Sequence, residues 1–232
     1  MIKENISEIR TRIAQACARS GRNTSEVTLI AVSKTKPVEM LLEAYDVGMR
    51  EFGENKPQEL RDKAAVIEQP IRWHMIGSLQ KNKIKYVVGT ACLIHSVDSY
   101  ELAVAIDREA EKKGLICQIL LEVNIAEEET KHGFRTDELI HVLPELAKLQ
   151  NIKITGLMTV APYTENAEEN RAYFRKMKQL LIDINTKNID NISMSVLSMG
   201  MSSDYEVAIE EGATMVRVGT GIFGERIYPT KG

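Results

Sequence analysis

The chain has 232 residues, of which 44% are hydrophobic and 27% are charged, which is typical of a globular protein with a substantial core. Its net charge of −3 excludes a general affinity for nucleic acid or for an anionic membrane surface. No apolar run approaches the ~20 residues of a membrane span, and the charged N-terminus predicts no signal peptide. Three widely spaced cysteines predict no disulfide framework, so we expect a cytoplasmic protein.

Short apolar segments rich in β-branched residues alternate along the chain with amphipathic stretches, and we interpret the apolar segments as strands. There are eight, at residues 27–34, 49–53, 72–77, 92–97, 117–124, 152–160, 194–199 and 215–219. Strands that alternate with helices predict a parallel sheet with right-handed crossovers. Eight strands are the number that closes a (β/α)8 TIM barrel.

The segments between the strands are predicted helices. The clearest covers 98–114, where Asp98 is the predicted cap and Gly114 the predicted end. A second is predicted to start at Ser203 and end at Gly212, and a third, longer one to open at Thr164.

An additional amphipathic helix is predicted before the first strand, because apolar residues recur there at helical spacing. They are Ile6, Ile9, Ile13 and Cys17. We expect a single α/β domain over residues 1–232, with no second domain. A doubly wound open sheet is the alternative, although no GxGxxG motif follows any predicted strand.

Lys34 ends the first predicted strand, and alternation places Ile30, Val32 and Lys34 on one face. Active sites of TIM barrels form at the carboxyl ends of the strands. A buried amine loses its charge readily and is then a nucleophile toward aldehydes. A solvated lysine at a strand end is the other interpretation of the same residue.

The segments after strands 7 and 8 read LSMGMSS at 197–203 and VGTG at 218–221. Barrels frequently bind phosphate with these two loops, and glycine lets backbone N–H groups approach an anion. Ordinary turns would use the same residues. In a closed barrel strand 1 adjoins strand 8, so an aldehyde-reactive lysine would lie beside a phosphate site. Pyridoxal 5'-phosphate has both groups on one ring.

Arg217 shares the predicted face of Gly219 and can point into the barrel. A guanidinium only donates hydrogen bonds. Facing a pyridine nitrogen, it would keep that nitrogen unprotonated and weaken the ring as an electron sink. An ion pair within the barrel mouth is the alternative role.

The chain resembles the pyridoxal phosphate homeostasis proteins over nearly its whole length. The matching stretches are AVSKTKP at 31–37, FGEN at 52–55, WHMIGSLQKNK at 73–83, HSVDS at 95–99, GLMTVAP at 156–162, LSMGMSSD at 197–204 and RVGTGIFGER at 217–226. The fold of that family resembles the barrel domain of alanine racemase, without its second domain.

The resemblance implies a role for several residues. Lys34 matches the lysine that forms a Schiff base with the cofactor, and Arg217 matches the arginine beside the pyridine nitrogen. Phosphate contacts are expected at Ser198, Gly200, Gly219 and Thr220.

The resemblance further implies that Asn55 and His74 lie near the pocket mouth and that Met158 packs near the ring. Lys131 matches a family position that is expected to help in cofactor transfer. The roles of His74, Lys131 and Lys36 stay open at this point.

The other histidines and cysteines predict no metal site, since none has metal-ligand spacing. His95 and His141 are interpreted as structural, hydrogen-bonded histidines.

Two functions of different class remain. The resemblance implies a non-enzymatic protein that buffers pyridoxal phosphate in vitamin B6 homeostasis and delivers it to apo-forms of other enzymes. The alternative is an amino-acid racemase, which needs a proton carrier on each face of the ring. Tyr163 and Tyr228 are the local candidates for the second carrier.

Overall fold

The computed structural model describes residues 1–128 and 130–225. The eight predicted strands form a closed parallel barrel in chain order, and β8 pairs with β1. The strands are β1 (Thr28–Val32), β2 (Glu51–Glu54), β3 (Arg72–Met75), β4 (Ala91–Val97), β5 (Cys117–Glu122), β6 (Ile152–Met158), β7 (Val196–Ser198) and β8 (Met215–Val218). The TIM-barrel prediction is confirmed, and the open doubly wound sheet was wrong.

Helices surround the barrel and cover the outer face of its sheet. They are α1 (Ile2–Arg19), α2 (Val38–Asp46), α3 (Pro57–Val66), α4 (Tyr100–Lys113), α5 (Thr136–Leu146), α6 (Arg171–Thr186), α7 (Tyr205–Glu210) and α8 (Thr220–Phe223). A 3-10 helix, Lys81–Tyr86, makes the crossover between β3 and β4. Helix α1 is the predicted extra helix, and its apolar stripe is buried as expected. Within the described part of the chain, no helix has the length and apolar character to cross a membrane.

Several predicted helix starts were wrong by one to seven residues. Ser99, not Asp98, caps α4, because its hydroxyl accepts the N–H of Leu102. Helix α7 begins at Tyr205 rather than Ser203. Helix α6 begins at Arg171 rather than Thr164, after a 3-10 turn.

Gly114 ends α4 in the left-handed conformation, as predicted, with φ of 63°. This region of backbone space suits glycine because it has no Cβ. There is a physical reason why the end of α4 was predicted correctly and its start was not. A left-handed residue strongly favours glycine, whereas Asp98 and Ser99 are both good caps and only the local fold selects between them.

Alternate residues of the strands face two separate apolar layers. The main core lies between the sheet and the helices, and a smaller cluster of Leu93, Leu120 and Met158 fills part of the barrel interior. The interior above and below this cluster is polar, and the candidate functional groups lie there. The single domain over residues 1–232 stays a prediction, because residues 226–232 lie outside the described part.

Candidate cofactor site at the barrel mouth

Lys34 lies in the turn at the carboxyl end of β1 and is half-buried. Ala31 packs in the outer core, so the flanking residues Ile30 and Val32 face the barrel interior. Val32 approaches Gly219 so closely that a Cβ on the glycine would lie 3.3 Å from the Cβ of Val32. The Lys34 turn therefore stands beside the end of β8, as the predicted barrel closure requires.

A buried ionic cluster behind the sheet fixes the backbone of this turn. The Ser33 hydroxyl donates to Oε1 of Glu54 at 2.6 Å, and Lys63 Nζ donates to the Ser33 carbonyl oxygen at 2.8 Å. Lys63 also pairs with Glu54 at 2.7 Å. The Thr35 N–H donates to Oε1 of Glu59 at 2.6 Å. These contacts hold the residues on both sides of Lys34.

Lys36, the second lysine of the motif, has a different environment. Its Nζ donates to the carbonyl oxygens of Phe223, Gly224 and Glu225 at 3.2, 3.1 and 2.9 Å. An ammonium group has three N–H donors, so these contacts use all of them. Lys36 therefore ties the turn after β1 to the end of α8.

The turns after β7 and β8 form a small cup. The N–H groups of Gly219 and Gly221 both point at the Ser202 hydroxyl oxygen, at 3.3 and 3.5 Å. Convergent backbone N–H groups are the arrangement that binds phosphate oxygens. Thr220 lies between the two glycines and is exposed. Ser202 is a residue of this cup that the sequence motif contained but that we did not single out.

Gly200 supports the cup through packing. Its φ is +90°, and a Cβ there would lie 2.6 Å from the Cβ of Ala208 in α7. Its carbonyl oxygen accepts the Arg217 N–H at 3.0 Å. Gly200 thus joins α7 to β8 at the edge of the cup, and a direct phosphate contact at this residue stays a prediction.

Arg217 points into the barrel and is only 4% exposed. Its guanidinium donates to the Ser198 hydroxyl at 2.6 Å and to the Thr159 carbonyl oxygen at 2.8 Å. Burial lowers the pKa of Arg217 to about 10, so the group stays charged at neutral pH. Within residues 1–128 and 130–225, the polar partners of the guanidinium at hydrogen-bonding distance are thus neutral groups and not carboxylates.

Ser198 begins a hydrogen-bonded chain that crosses the barrel interior. Its hydroxyl lies 2.8 Å from His95 Nδ1, and His95 Nε2 lies 2.9 Å from His74 Nδ1. His74 Nε2 then lies 2.7 Å from Oε2 of Glu51, the first residue of β2. We name this the interior chain: Arg217, Ser198, His95, His74 and Glu51.

The interior chain corrects two expected positions. His74 points toward the start of the strands, not toward the pocket mouth, because Glu51 and His95 hold both of its ring nitrogens. The Ser198 hydroxyl lies in the interior beside Arg217 and not in the cup with Ser202. Their contacts with a cofactor stay predictions.

His95 is the buried, satisfied histidine that we expected. Burial holds its pKa well below the ordinary value, so the ring is neutral. His141 is also satisfied, through the Asp137 carbonyl oxygen of its own helix.

Asn55 directly follows the end of β2, and Met158 is the last residue of β6. The Oδ1 atom of Asn55 is buried and has no hydrogen-bond partner among the described residues. A buried acceptor of this kind is uncommon and indicates a missing ligand or water. Met158 is buried between Leu93 and Leu120.

Glu122 at the carboxyl end of β5 is a further titratable group that the sequence analysis missed. Burial, with a smaller contribution from Asp98, raises the pKa of Glu122 to about 7, and the charge of Arg217 opposes this rise. The signal was present in the sequence, since Glu122 is a charged residue at the end of an apolar strand, as Lys34 is.

Lys131 lies in the loop after β5, Tyr163 lies in the loop after β6, and Tyr228 lies outside the described residues. Lys131 pairs with Oε1 of Glu128 at 2.7 Å in the loop after β5. Tyr163 is 89% exposed. Tyr228, and Arg226 of the last matched motif, lie outside the described residues.

The raised pKa of Glu122 predicts a pH-dependent stability. A carboxyl with a folded pKa near 7 and an unfolded pKa near 4.5 favours folding at low pH, and this contribution is lost as the pH rises from about 4.5 to about 7. We expect Glu122→Gln to unfold like the wild type at pH 4.5 and to be more stable at pH 8, by on the order of 3 kcal/mol at most. Urea unfolding of the cofactor-free chain measures this difference. Glu101→Gln, on the first turn of α4, is the exposed control, and parallel pH profiles for Glu122→Gln and wild type would contradict the expectation.

Comparison with known proteins identifies the family. Residues 2–227 match the family model described as "Alanine racemase, N-terminal domain". A protein of Aquifex aeolicus (strain VF5), named "Pyridoxal phosphate homeostasis protein", is 44% identical over 97% of this chain and 98% of its own length. A protein of the same name from Escherichia coli (strain K12) is 35% identical over 99% of both chains. The chain belongs to the pyridoxal phosphate homeostasis protein family.

Solved structures agree with this family and with the barrel. PipY of Synechococcus elongatus PCC7942, described as a COG0325 family member, was solved without PLP and with PLP bound. It is 37% identical, covers 97% of this chain and 100% of its own, and superposes with TM-scores of 0.86 and 0.84. Alanine racemase of Clostridium difficile 630 superposes with a TM-score of 0.75 at 14% identity over 57% of its length, which shows the shared fold alone. The curated relatives of this family carry the name of homeostasis proteins and not of an enzyme.

Proposed function

We propose that this chain binds pyridoxal 5'-phosphate at the barrel mouth as a Schiff base on Lys34, and buffers and delivers it in vitamin B6 homeostasis. One observation carries the proposal. The turn that holds the half-buried Lys34 adjoins the turn where two backbone N–H groups converge on a single oxygen atom, that of Ser202. Family membership and the PLP-bound structure of PipY support the same cofactor.

The residues of the mouth fit the chemistry of this cofactor. When bound, it supplies an aldehyde carbon, a phosphate group and a pyridine nitrogen. The N–H groups of Gly219 and Gly221 suit the phosphate oxygens. The Arg217 guanidinium only donates hydrogen bonds, so it suits a pyridine nitrogen that carries no proton. Asn55 Oδ1 is a buried acceptor still in need of a donor.

The assignment to Lys34 gains support from the other lysines of the motifs. The Nζ of Lys36 donates to three carbonyl oxygens, and these hydrogen bonds would have to break before it could attack an aldehyde. The Nζ of Lys131 is held in an ion pair with Glu128. We therefore propose that Lys131 helps in cofactor transfer and does not form the Schiff base.

The carrier function is favoured over a racemase because catalysis needs an electron sink and proton carriers on both faces of the ring. Arg217 is charged and donates hydrogen bonds, so it does not protonate the pyridine nitrogen. Tyr163 is too exposed to be a positioned base in the mouth.

One observation favours the alternative function. Glu122 is a partly buried carboxyl at the mouth with a pKa of about 7, which is the value expected of a general base at neutral pH. If Glu122 reached the second face of the ring, it would be the missing proton carrier. The deciding experiment must therefore detect partial reactions as well as complete turnover.

We expect the cofactor-loaded protein to restore activity to an apo-form pyridoxal-phosphate enzyme, and Lys34→Ala to lose most of this ability. The same sample should give no racemase, decarboxylase or aminotransferase turnover with common amino acids. Exchange of the amino-acid α-proton into deuterium oxide is the measurement. Fast, saturable exchange that Lys34→Ala and Glu122→Gln both abolish would establish an enzyme and refute the carrier function.

The proposed recipients are apo-forms of pyridoxal-phosphate enzymes, and the proposed location is the cytoplasm. The absence of a disulfide among Cys17, Cys92 and Cys117 supports a reducing compartment.

A further inference from the structure

A second polar cluster lies at the opposite end of the barrel from Lys34, where the strands begin. It contains Glu51 at the start of β2, His74 on β3 and Cys92 at the start of β4. One ligand atom from each residue lies within 4.8 Å of the other two. We propose that these three residues bind a single divalent zinc ion at the barrel floor.

The fold brings these residues together through an irregularity that the sequence does not reveal. The register between β3 and β4 shifts at Trp73 and His74, so that Trp73 pairs with Ala91 but His74 pairs with Leu93. Cys92 lies between these pairs and packs against the interior cluster with Leu93. The shift thus turns the thiol toward His74.

The donor set is one that zinc prefers. Thiolate, imidazole and carboxylate are its usual protein ligands, and a site with three protein ligands leaves a fourth position for water. Cys92 Sγ lies 3.8 Å from His74 Nε2, which in turn lies 2.7 Å from Glu51 Oε2. Tetrahedral zinc separates such ligand atoms by about 3.3–3.6 Å. Shifts of less than 1 Å in the side chains would therefore complete the coordination.

His95 contacts the ring nitrogen of His74 that would not bind the zinc ion. A zinc-bound histidine commonly uses its second nitrogen to donate to a neighbouring group, which fixes the ring. Here Nδ1 of His74 lies 2.9 Å from Nε2 of His95, deep in the interior. If zinc binds Nε2 of His74, the proton of that ring is on Nδ1, which donates to Nε2 of His95. The proton of the neutral His95 ring is then on Nδ1, which donates to the Ser198 hydroxyl oxygen.

Charge also suits an ion. Glu51 is a carboxylate at the edge of the cluster and lines a cavity of about 450 Å³ between α1 and the starts of β1 and β2. Arg72 now neutralises Glu51 through a 2.8 Å ion pair, but its side chain is 63% exposed. It can move into solvent when zinc replaces its charge.

The inference is independent of the proposed cofactor function, since none of the three ligands lies at the mouth. The experiment is a titration of the full chain with zinc in competition with a chromophoric chelator, and with cobalt to detect a thiolate-to-metal absorption band. We expect one ion per chain and a cobalt–thiolate band, both with and without pyridoxal phosphate.

Variants separate this site from adventitious thiol binding. Cys92→Ser should weaken zinc binding at least about tenfold and remove the cobalt–thiolate band. Cys117→Ser, which changes another buried cysteine of a strand, should preserve both. Arg72→Ala should strengthen binding, because it removes the cation that competes for Glu51.

Circular dichroism checks that each variant is folded, and Glu51→Gln tests the same site if Cys92→Ser fails to fold. The proposal is refuted if the wild type binds no zinc against the chelator. It is also refuted if Cys92→Ser and Glu51→Gln bind as tightly as the wild type, or if Cys117→Ser loses the band.

Discussion

Replacing Lys34 with alanine is expected to remove all covalently held pyridoxal phosphate from the purified protein. The reason is the separate environments of the lysines near the mouth. Lys34 is half-buried beside the cup, whereas Lys36 donates to three carbonyl oxygens of residues 223–225 and Lys131 pairs with Glu128. The measurement is the absorbance of the Schiff base after gel filtration, which removes loosely bound cofactor.

Two further lysine variants make this result specific. Lys153→Ala changes an exposed lysine at the start of β6, far from the mouth, and should retain the full absorbance. Lys36→Ala should loosen the end of α8 but still form the Schiff base. If Lys36→Ala loses the absorbance while Lys34→Ala keeps it, the assignment to Lys34 is wrong.

Pyridoxal without its phosphate is expected to bind at least about tenfold more weakly than pyridoxal 5'-phosphate. Hydrogen bonds to a charged group contribute about 1.5–3 kcal/mol each, and the cup offers two convergent N–H groups, from Gly219 and Gly221. The measurement is the dissociation constant of each compound by absorbance titration. Equal affinities would rule out a phosphate site at β7 and β8.

Ser202 gives this prediction a matched pair of variants. Ser202→Ala removes the hydroxyl at the centre of the cup, so it should weaken binding of the phosphorylated compound and leave the affinity for pyridoxal unchanged. Ser203→Ala changes an exposed hydroxyl of the same loop and should alter neither. A similar loss for both compounds in Ser202→Ala would indicate a general disturbance of the loop.

The strand order and the barrel were predictable from the sequence because burial imposes a simple pattern. Each predicted strand overlaps the observed one, and where an observed strand is shorter it is shorter by one or two residues at an end. Strand β2 ends one residue later than predicted, and β4 begins one residue earlier. The predicted alternation placed Arg217 correctly in the barrel interior, since β1 and β8 pair in regular register. The end of α4 at Gly114 was equally predictable, because a left-handed position favours glycine.

The polar interior was not predictable, because it depends on contacts between residues far apart in the chain. The register shifts in β4, on both of its sides, move side chains relative to a simple alternation and place His95 between His74 and Ser198. A motif that suggests a residue near the mouth does not specify where its side chain points, as His74 shows. For the same reason Ser198, and not Ser202, was named as a phosphate contact.

The most direct test of the central proposal is chemical. Borohydride reduction of the cofactor-loaded protein, followed by proteolysis and mass spectrometry, identifies the lysine that forms the Schiff base. The proposal predicts a reduced pyridoxyl label on Lys34 in nearly every molecule. A label mainly on Lys36 or Lys131, or no label in a protein that retains the cofactor, would contradict it.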